Sequence, residues 1–140
     1  MGTKIRAKIS EKNKYWIDKH RYYELKHFCL QYPIWKKVYL AMDENCIQSQ
    51  NYSDEVKCTS LPSNLTEKLA IAKTLLDDRI KMIEKAAYEA DKDLYKYILK
   101  GVTEEMSYTY LKTNMNIPCG KDMYYDRYRR FFWLLSNARQ

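Results

Sequence analysis

The chain has 140 residues, with 25 Lys and Arg against 18 Asp and Glu and a formal net charge of +7. Domains usually contain roughly 100–150 residues, so this length excludes a large two-domain enzyme. Hydrophobic residues make up 46% of the chain, whereas glycine and proline contribute three residues each. A core can therefore form, but turn residues are too scarce for a many-stranded β-sandwich or barrel. The composition predicts an all-α fold.

The positive charge is concentrated at the two ends of the sequence. Residues 1–37 contain ten Lys/Arg and three Asp/Glu, a net charge of +7, and residues 119–140 carry +3. Residues 38–118 between them carry −3. This asymmetry indicates a polyanionic partner, either nucleic acid or an anionic membrane surface, although a solvated basic surface has the same composition.

The sequence offers little for catalysis, metal binding or membrane insertion. Only two histidines are present, and the four cysteines form no C-x-x-C pair. Three glycines give no Gly-rich phosphate loop, and no run of about 18 apolar residues could span a membrane. The first residues do not resemble a signal peptide. We therefore expect a cytoplasmic protein without catalytic residues, cofactor or metal, and without a membrane partner.

The first predicted region covers residues 1–44. It begins with a basic arm, residues 1–14, which is either a short strand or an extended tail because cations alternate with apolar residues. The cations that define this alternation are Lys4, Arg6 and Lys8. Asp18 is suited to cap a first helix, and Pro33 is suited to the first turn of a second helix. The arm is thus followed by an N-terminal helical pair.

A polar linker is predicted over residues 45–64, which lack helical or strand periodicity. A long helix should follow from about Leu65 to Ala90. At 100° per residue it has one apolar stripe that includes Leu76 and Ile80, and a second that includes Ile71 and Leu75. A helix with two stripes packs on two neighbours. One is the C-terminal helices, and the other is either the N-terminal pair or a second subunit.

Residues that favour helix starts and ends predict the remaining helices of a helical domain over residues 65–140. A short helix over residues 91–100 should end at Gly101, which readily takes a left-handed conformation. Thr103 is the predicted N-cap of the next helix. A turn-like segment then leads to a last helix over about 121–137. Two helices joined by a short turn, rich in cations, have the layout of a helix-turn-helix.

The last helix has an aromatic face and a charged face. Its predicted core residues are Tyr124, Tyr128, Phe131, Phe132 and Leu135. In a helix-turn-helix, the N-terminal part of the second helix reads base edges while later cations hold phosphates. The DNA-binding residues predicted on this basis are Lys121, Asp122, Tyr125, Arg129 and Arg130 on the helix, and Lys4, Arg6 and Lys8 on the arm. Alternatively this is a plain solvated face, in which Asp122 and Asp126 pair with the arginines at i, i+4 spacing.

Two sequence runs resemble known proteins. These are Tyr22-Tyr23-Glu24-Leu25-Lys26-His27-Phe28-Cys29-Leu30-Gln31-Tyr32-Pro33 and the run from Ile117-Pro118-Cys119-Gly120 through Tyr124-Tyr125-Asp126-Arg127-Tyr128-Arg129-Arg130-Phe131-Phe132. Together with the layout of residues 65–136, they resemble the RinA and ArpU families of phage and prophage late-gene regulators in Gram-positive bacteria. The resemblance implies a promoter-reading helix-turn-helix similar to that of primary sigma factors. The chain departs from that pattern at Pro118, Cys119 and Gly120, where a hydroxyl N-cap is usual, and at Asp126, where these families tend to place a cation.

The leading hypothesis is a sequence-specific, DNA-binding phage or prophage transcriptional regulator that uses the C-terminal helix-turn-helix. Its expected partner is double-stranded DNA, and RNA polymerase and a homodimeric second subunit are further candidates. A second hypothesis is a phage packaging protein similar to a small terminase subunit, which would form a ring. The third is an adaptor that docks on RNA polymerase or a host factor through Trp35, Trp133 and the tyrosines.

Overall fold

The computed structural model describes residues 13–51 and 63–139. Within these two ranges all regular secondary structure is α-helical, which confirms the all-α prediction. The helices are α1 (Lys19–Leu30), α2 (Tyr32–Asn51), α3 (Ser63–Ala90), α4 (Tyr95–Thr103), α5 (Tyr108–Met115) and α6 (Lys121–Ala138). No helix in these ranges combines the length and the hydropathy needed to cross a lipid bilayer.

Side-chain caps are found at the starts of α1 and α5. The Asp18 carboxylate accepts a hydrogen bond from the backbone N–H of His20 at 3.0 Å, as the sequence predicts for α1. At α5 the cap is Ser107, whose hydroxyl oxygen accepts from the N–H of Tyr110 at 3.2 Å. The prediction of Thr103 as this cap is wrong. Thr103 is the last residue of α4, and its hydroxyl donates to the Leu99 carbonyl at 2.6 Å.

Gly101 lies inside α4, so its prediction as a helix terminator is also wrong. The helix continues through Gly101 with an ordinary negative φ. Glycine is needed there for space: a Cβ atom at residue 101 would overlap the hydroxyl of Tyr124 on α6. A glycine that suggests the end of a helix in the sequence therefore marks a close approach between two helices.

The chain divides into two compact units, Met1–Tyr32 with Met82–Gln140, and Pro33–Lys81. In the first unit α1 contacts α4 and α6, and α4 contacts α5 and α6. Among its described residues, the fully buried side chains include Leu25, Cys29, Ile83, Leu94, Ile98, Leu111, Tyr124, Phe131, Phe132 and Leu135. Hydrophobic burial of this kind is the main stabilising contribution to such a bundle.

These units differ from the predicted regions. The sequence grouped α1 with α2 in residues 1–44, but α1 buries Leu25, Phe28 and Cys29 in the unit that holds the C-terminal helices. The predicted linker, residues 45–64, also begins inside α2, which continues to Asn51. Residues 52–62 of that linker lie outside the described part of the chain. Polar composition alone did not reveal the helical end of α2, since local propensity is only a weak guide to where a helix ends.

Arg21 joins α1 to the end of α6. Its guanidinium donates to the Ser136 hydroxyl at 3.2 Å and to the Ser136 carbonyl at 3.1 Å, and it also contacts the Arg139 carbonyl. The last carbonyls of a helix have no partner within the helix, so a cation placed there satisfies them. Glu24 completes the arrangement by pairing with Arg21 at 3.2 Å and with Arg139 at 3.6 Å.

The second unit consists of most of α2 and the first part of α3. Asp43 of α2 forms an ion pair with Lys73 of α3, and the Arg79 guanidinium lies 5.6 Å from the ring centre of Trp35. Residue numbers rise along α2 as those of their partners fall along α3, so the two helices run antiparallel. Trp35 and Ile80 are buried in this unit.

Candidate nucleic-acid interface

The connection between α5 and α6, residues 116–120, is held by backbone geometry and one tyrosine. Asn116 adopts a left-handed conformation with φ of 52°, which asparagine tolerates better than most residues, and the Ile117 N–H donates to the Leu111 carbonyl at 3.4 Å. The Tyr108 hydroxyl donates to the Cys119 carbonyl at 2.7 Å. These bonds place the start of α6 relative to α5. Gly120 is the N-cap of α6 and contributes no side-chain bond.

The aromatic face of α6 is buried. Its buried residues are Tyr124, Tyr128, Phe131, Phe132 and Leu135, the same set that the helical periodicity predicts. The Tyr124 ring centre is 5.8 Å from that of Tyr108 on α5, and the Tyr128 hydroxyl lies 3.1 Å from the Tyr22 hydroxyl on α1. Burial raises the pKa of both Tyr124 and Tyr128 above the ordinary tyrosine value. With this face inward, the opposite face of α6 must point away from the core.

Arg127 fixes α6 to the segment that precedes α4. Its Nε donates to Asp91 Oδ2 at 3.1 Å, and its Nη1 donates to Asp126 Oδ2 at 3.1 Å. The Asp91 side chain is only 12% exposed, and its second oxygen accepts from the N–H groups of Asp93 and Leu94 at 2.9 Å and 3.2 Å. One carboxylate thus closes the turn before α4 and holds α6.

This double role makes a specific prediction about stability. Arg127→Ala and Asp91→Asn should each reduce the free energy of unfolding by about 1–2 kcal/mol, because both remove the charged pair between Arg127 and Asp91. Arg127→Ala also removes the pair with Asp126, which is more exposed and contributes little. Asp91→Ala should cost about 1 kcal/mol more, since it also removes the acceptor for the two N–H groups. Urea denaturation followed by circular dichroism measures all three. If Asp91→Asn and Asp91→Ala reduced the free energy of unfolding equally, Asp91 would not stabilise the turn before α4.

The predicted cations of α6 remain available on the outer face. Lys121 and Asp122 are exposed, and Arg129 and Arg130 are partly exposed. Neither arginine forms an ion pair with any residue in the described ranges. The alternative in which Asp126 neutralises Arg130 at i, i+4 spacing does not hold, because the Asp126 carboxylate is bonded to Arg127. Two guanidinium groups therefore lie on this face without a carboxylate partner among the residues that the structure describes.

Two other residues of this face take part in packing. Tyr125 is half-buried, with its ring centre 5.2 Å from that of Tyr124 and 6.4 Å from that of Tyr108, and burial raises its pKa. Trp133 lies 5.8 Å from the ring of Tyr15, which precedes α1. The outer face is thus covered near Trp133 and open nearer its N-terminus. The predicted arm residues Lys4, Arg6 and Lys8 lie outside the described part of the chain.

Sequence reasoning overlooked two cations near this face. Lys112 is exposed in the last turn of α5, just before the connection to α6. In a helix-turn-helix the first helix crosses the phosphate backbone, so Lys112 could have been predicted from the sequence as a phosphate contact. Arg127 had no such signal, because its partner Asp91 is 36 residues away in sequence.

The chain was compared with models of protein families, with curated proteins and with solved structures. None of the three comparisons finds a match.

Proposed function

We propose that this protein binds double-stranded DNA through α5, the 116–120 connection and α6, and that it acts as a phage or prophage transcriptional regulator. The observation that supports this most is the pair of guanidinium groups on the outer face of α6, Arg129 and Arg130, which have no carboxylate partner in the described ranges. A guanidinium can bond in a bidentate manner to a phosphate or to a guanine edge.

The placement of the other charges is compatible with this role. Lys121 at the start of α6 and Lys112 at the end of α5 are exposed on either side of the connection. Asp126 is held by Arg127, so its negative charge is partly compensated and repels phosphate less than a free carboxylate would. Asp122 is exposed in the first turn of α6, and a carboxylate at that place in a recognition helix can accept a hydrogen bond from the cytosine amino group.

Packing of α6 supports a recognition role because reading base edges requires a rigid helix. Its inner face is buried against α1 and α4, Arg127 holds its middle, and Arg21 binds its last carbonyls. A helix fixed at these points keeps its outer side chains in one register, which reduces the entropy lost on binding.

Fluorescence anisotropy with random-sequence duplexes over a range of salt concentrations tests DNA binding. We expect the logarithm of the association constant to fall linearly with the logarithm of salt concentration, because phosphate contacts release counterions. Arg129→Ala with Arg130→Ala should weaken binding about tenfold or more, and should make the slope shallower by about 2 if both contact phosphate. Lys96→Ala, an exposed cation of α4, is the matched control and should change neither quantity.

The same measurements separate general binding from sequence reading. If Lys121 or Asp122 contacts bases, its substitution should change the preferred sequence in a selection from random duplexes while leaving the salt slope nearly unchanged. Absence of salt-dependent binding by the intact chain would overturn the proposal. Unchanged binding by the double arginine variant would exclude the outer face of α6 as the interface.

A further inference from the structure

One stripe of α3 in the second unit has exposed apolar residues between opposite charges. Ile71 and Leu75 are 60% and 52% exposed, and Lys68 and Asp78 on either side of them are exposed as well. The positions 68, 71, 75 and 78 alternate spacings of three and four residues. This is the spacing by which one helix packs against another in a coiled coil.

Within its unit, α2 does not cover this stripe. α3 meets α2 through Lys73, which pairs with Asp43, and the buried Ile80 lies on the same side of α3 as Lys73. The long Arg79 side chain also reaches Trp35 of α2, from a position nearer to the stripe. At 100° per residue, Lys73 lies about 160° around the helix from both Ile71 and Leu75. The stripe therefore faces away from the helix that α3 packs on in this unit. Lys68 and Asp78 also form no ion pair with residues in the described ranges.

The stripe is complementary to itself when two copies run antiparallel. If two α3 helices cross at residue 73, Ile71 of one copy faces Leu75 of the other, and Lys68 faces Asp78. The pairing occurs twice, so two apolar contacts in the centre are flanked by two ion pairs. A parallel pairing would instead place Lys68 against Lys68 and Asp78 against Asp78, which like-charge repulsion disfavours.

We propose that a second copy of this chain docks on this stripe, with two α3 helices antiparallel and centred on residue 73. Charge complementarity identifies the occupant, because an unrelated partner would have no reason to match this order of charges in reverse. The stripe is short, and small interfaces form weak complexes. We therefore expect a reversible dimer whose population depends on protein concentration. A two-fold pairing of this kind closes at two copies.

Analytical ultracentrifugation of the intact chain and its charge variants tests the proposal. Lys68→Glu and Asp78→Lys should each weaken dimerisation about tenfold, since each turns two attractive pairs into repulsive ones. The double variant Lys68→Glu with Asp78→Lys should restore the original dissociation constant. Residues 68 and 78 are about 15 Å apart along one helix, beyond the screening length at physiological salt. Restoration can then come only from contact between copies.

Two controls keep the test interpretable. Lys96→Glu makes the same charge change on α4 and should leave dimerisation unaffected, while circular dichroism shows whether each variant stays helical. Ile71→Ser with Leu75→Ser should abolish the dimer. A monomer at all concentrations up to about 1 mM, where even weak pairing is populated, would overturn the proposal. So would a charge-swapped double variant that stays monomeric, or assembly into rings.

Discussion

Above pH 10 the first unit should unfold cooperatively, because three buried acidic groups must stay protonated in the folded state. The side chains of Cys29 and Tyr124 are fully buried, and Tyr128 is 6% exposed. Burial raises the pKa of the thiol from its ordinary 9.0, and raises the pKa values of both phenols from 10.0. Below those ordinary values the protonation states of the folded and unfolded chains agree, so pH has no effect through these groups.

At higher pH the unfolded chain releases protons that the folded chain retains, so stability falls as the pH rises. Each such group contributes about 1.4 kcal/mol per pH unit once the pH exceeds its unfolded pKa. The three groups together give about 4 kcal/mol per pH unit. Burial also raises the pKa values of Tyr22 and Tyr32 in this unit, which makes the dependence steeper. A domain whose free energy of unfolding is about 5–15 kcal/mol should therefore unfold within roughly one to four pH units.

Far-ultraviolet circular dichroism and tyrosinate absorbance, measured together during an alkaline titration, check this result. The loss of helix should coincide with a cooperative rise in tyrosinate. Tyr124→Phe removes one of these groups and should lower the pH dependence by about 1.4 kcal/mol per pH unit. Tyr110→Phe, at a tyrosine that is 47% exposed, is the matched control and should leave the curve unchanged. Tyrosinate formation at Tyr124 and Tyr128 without loss of helix would contradict the prediction.

The second large effect concerns Gly101 and Tyr124. Alanine is favoured over glycine inside a helix by about 1 kcal/mol, so Gly101→Ala in an ordinary helix would stabilise the protein. Here the added Cβ would overlap the Tyr124 hydroxyl, and overpacking of this kind costs about 1–3 kcal/mol. Because Tyr124 is fully buried and has little room to move, we expect a cost in the upper part of this range, so that Gly101→Ala destabilises the protein by about 1–2 kcal/mol overall.

In a Tyr124→Phe variant, Gly101→Ala should instead stabilise the protein. The atom next nearest to the added Cβ is Cζ of Tyr124, at 3.4 Å, which is an ordinary contact. Tyr124→Phe alone should be neutral or stabilising, since its buried hydroxyl has no hydrogen-bond partner in the described ranges. The double variant should thus be about 1 kcal/mol more stable than Tyr124→Phe.

A double-mutant cycle in urea measures the coupling between the two positions, which we expect to be about 2–3 kcal/mol. Additive effects of Gly101→Ala and Tyr124→Phe would show that the hydroxyl is not what excludes a side chain at residue 101. Gly120→Ala offers a control for the glycine change, because a Cβ at residue 120 has nothing within 4 Å.

The faces of single helices were predictable because they depend on periodicity alone. The buried set of α6 and the Asp18 cap of α1 follow from spacing and local hydrogen bonding, and both agree with the structure. The predictions made from Thr103 and Gly101 were wrong because they depend on more than periodicity and local bonding. Each carries a local signal for a helix end, but the position of that end is decided by what packs on α4.

The candidate interface was predictable in part for the same reason. Helical spacing placed Arg129 and Arg130 on the face opposite the aromatic core. It did not show which carboxylate each arginine would meet, because i, i+4 spacing favours a pair between Asp126 and Arg130, whereas the structure pairs Asp126 with Arg127. The bond from Arg127 to Asp91, 36 residues away, depends on how α6 packs.

The sequence by itself determined that the chain is helical, where its aromatic residues face and where its cations concentrate, since composition and periodicity act within one segment at a time. The tertiary structure decided which helices share a core. It placed α1 with α4 and α6, divided α3 between two units, and left the Ile71 and Leu75 stripe exposed within its own unit. Such outcomes depend on contacts between residues far apart in sequence, where shape and burial rather than local pattern set the free energy.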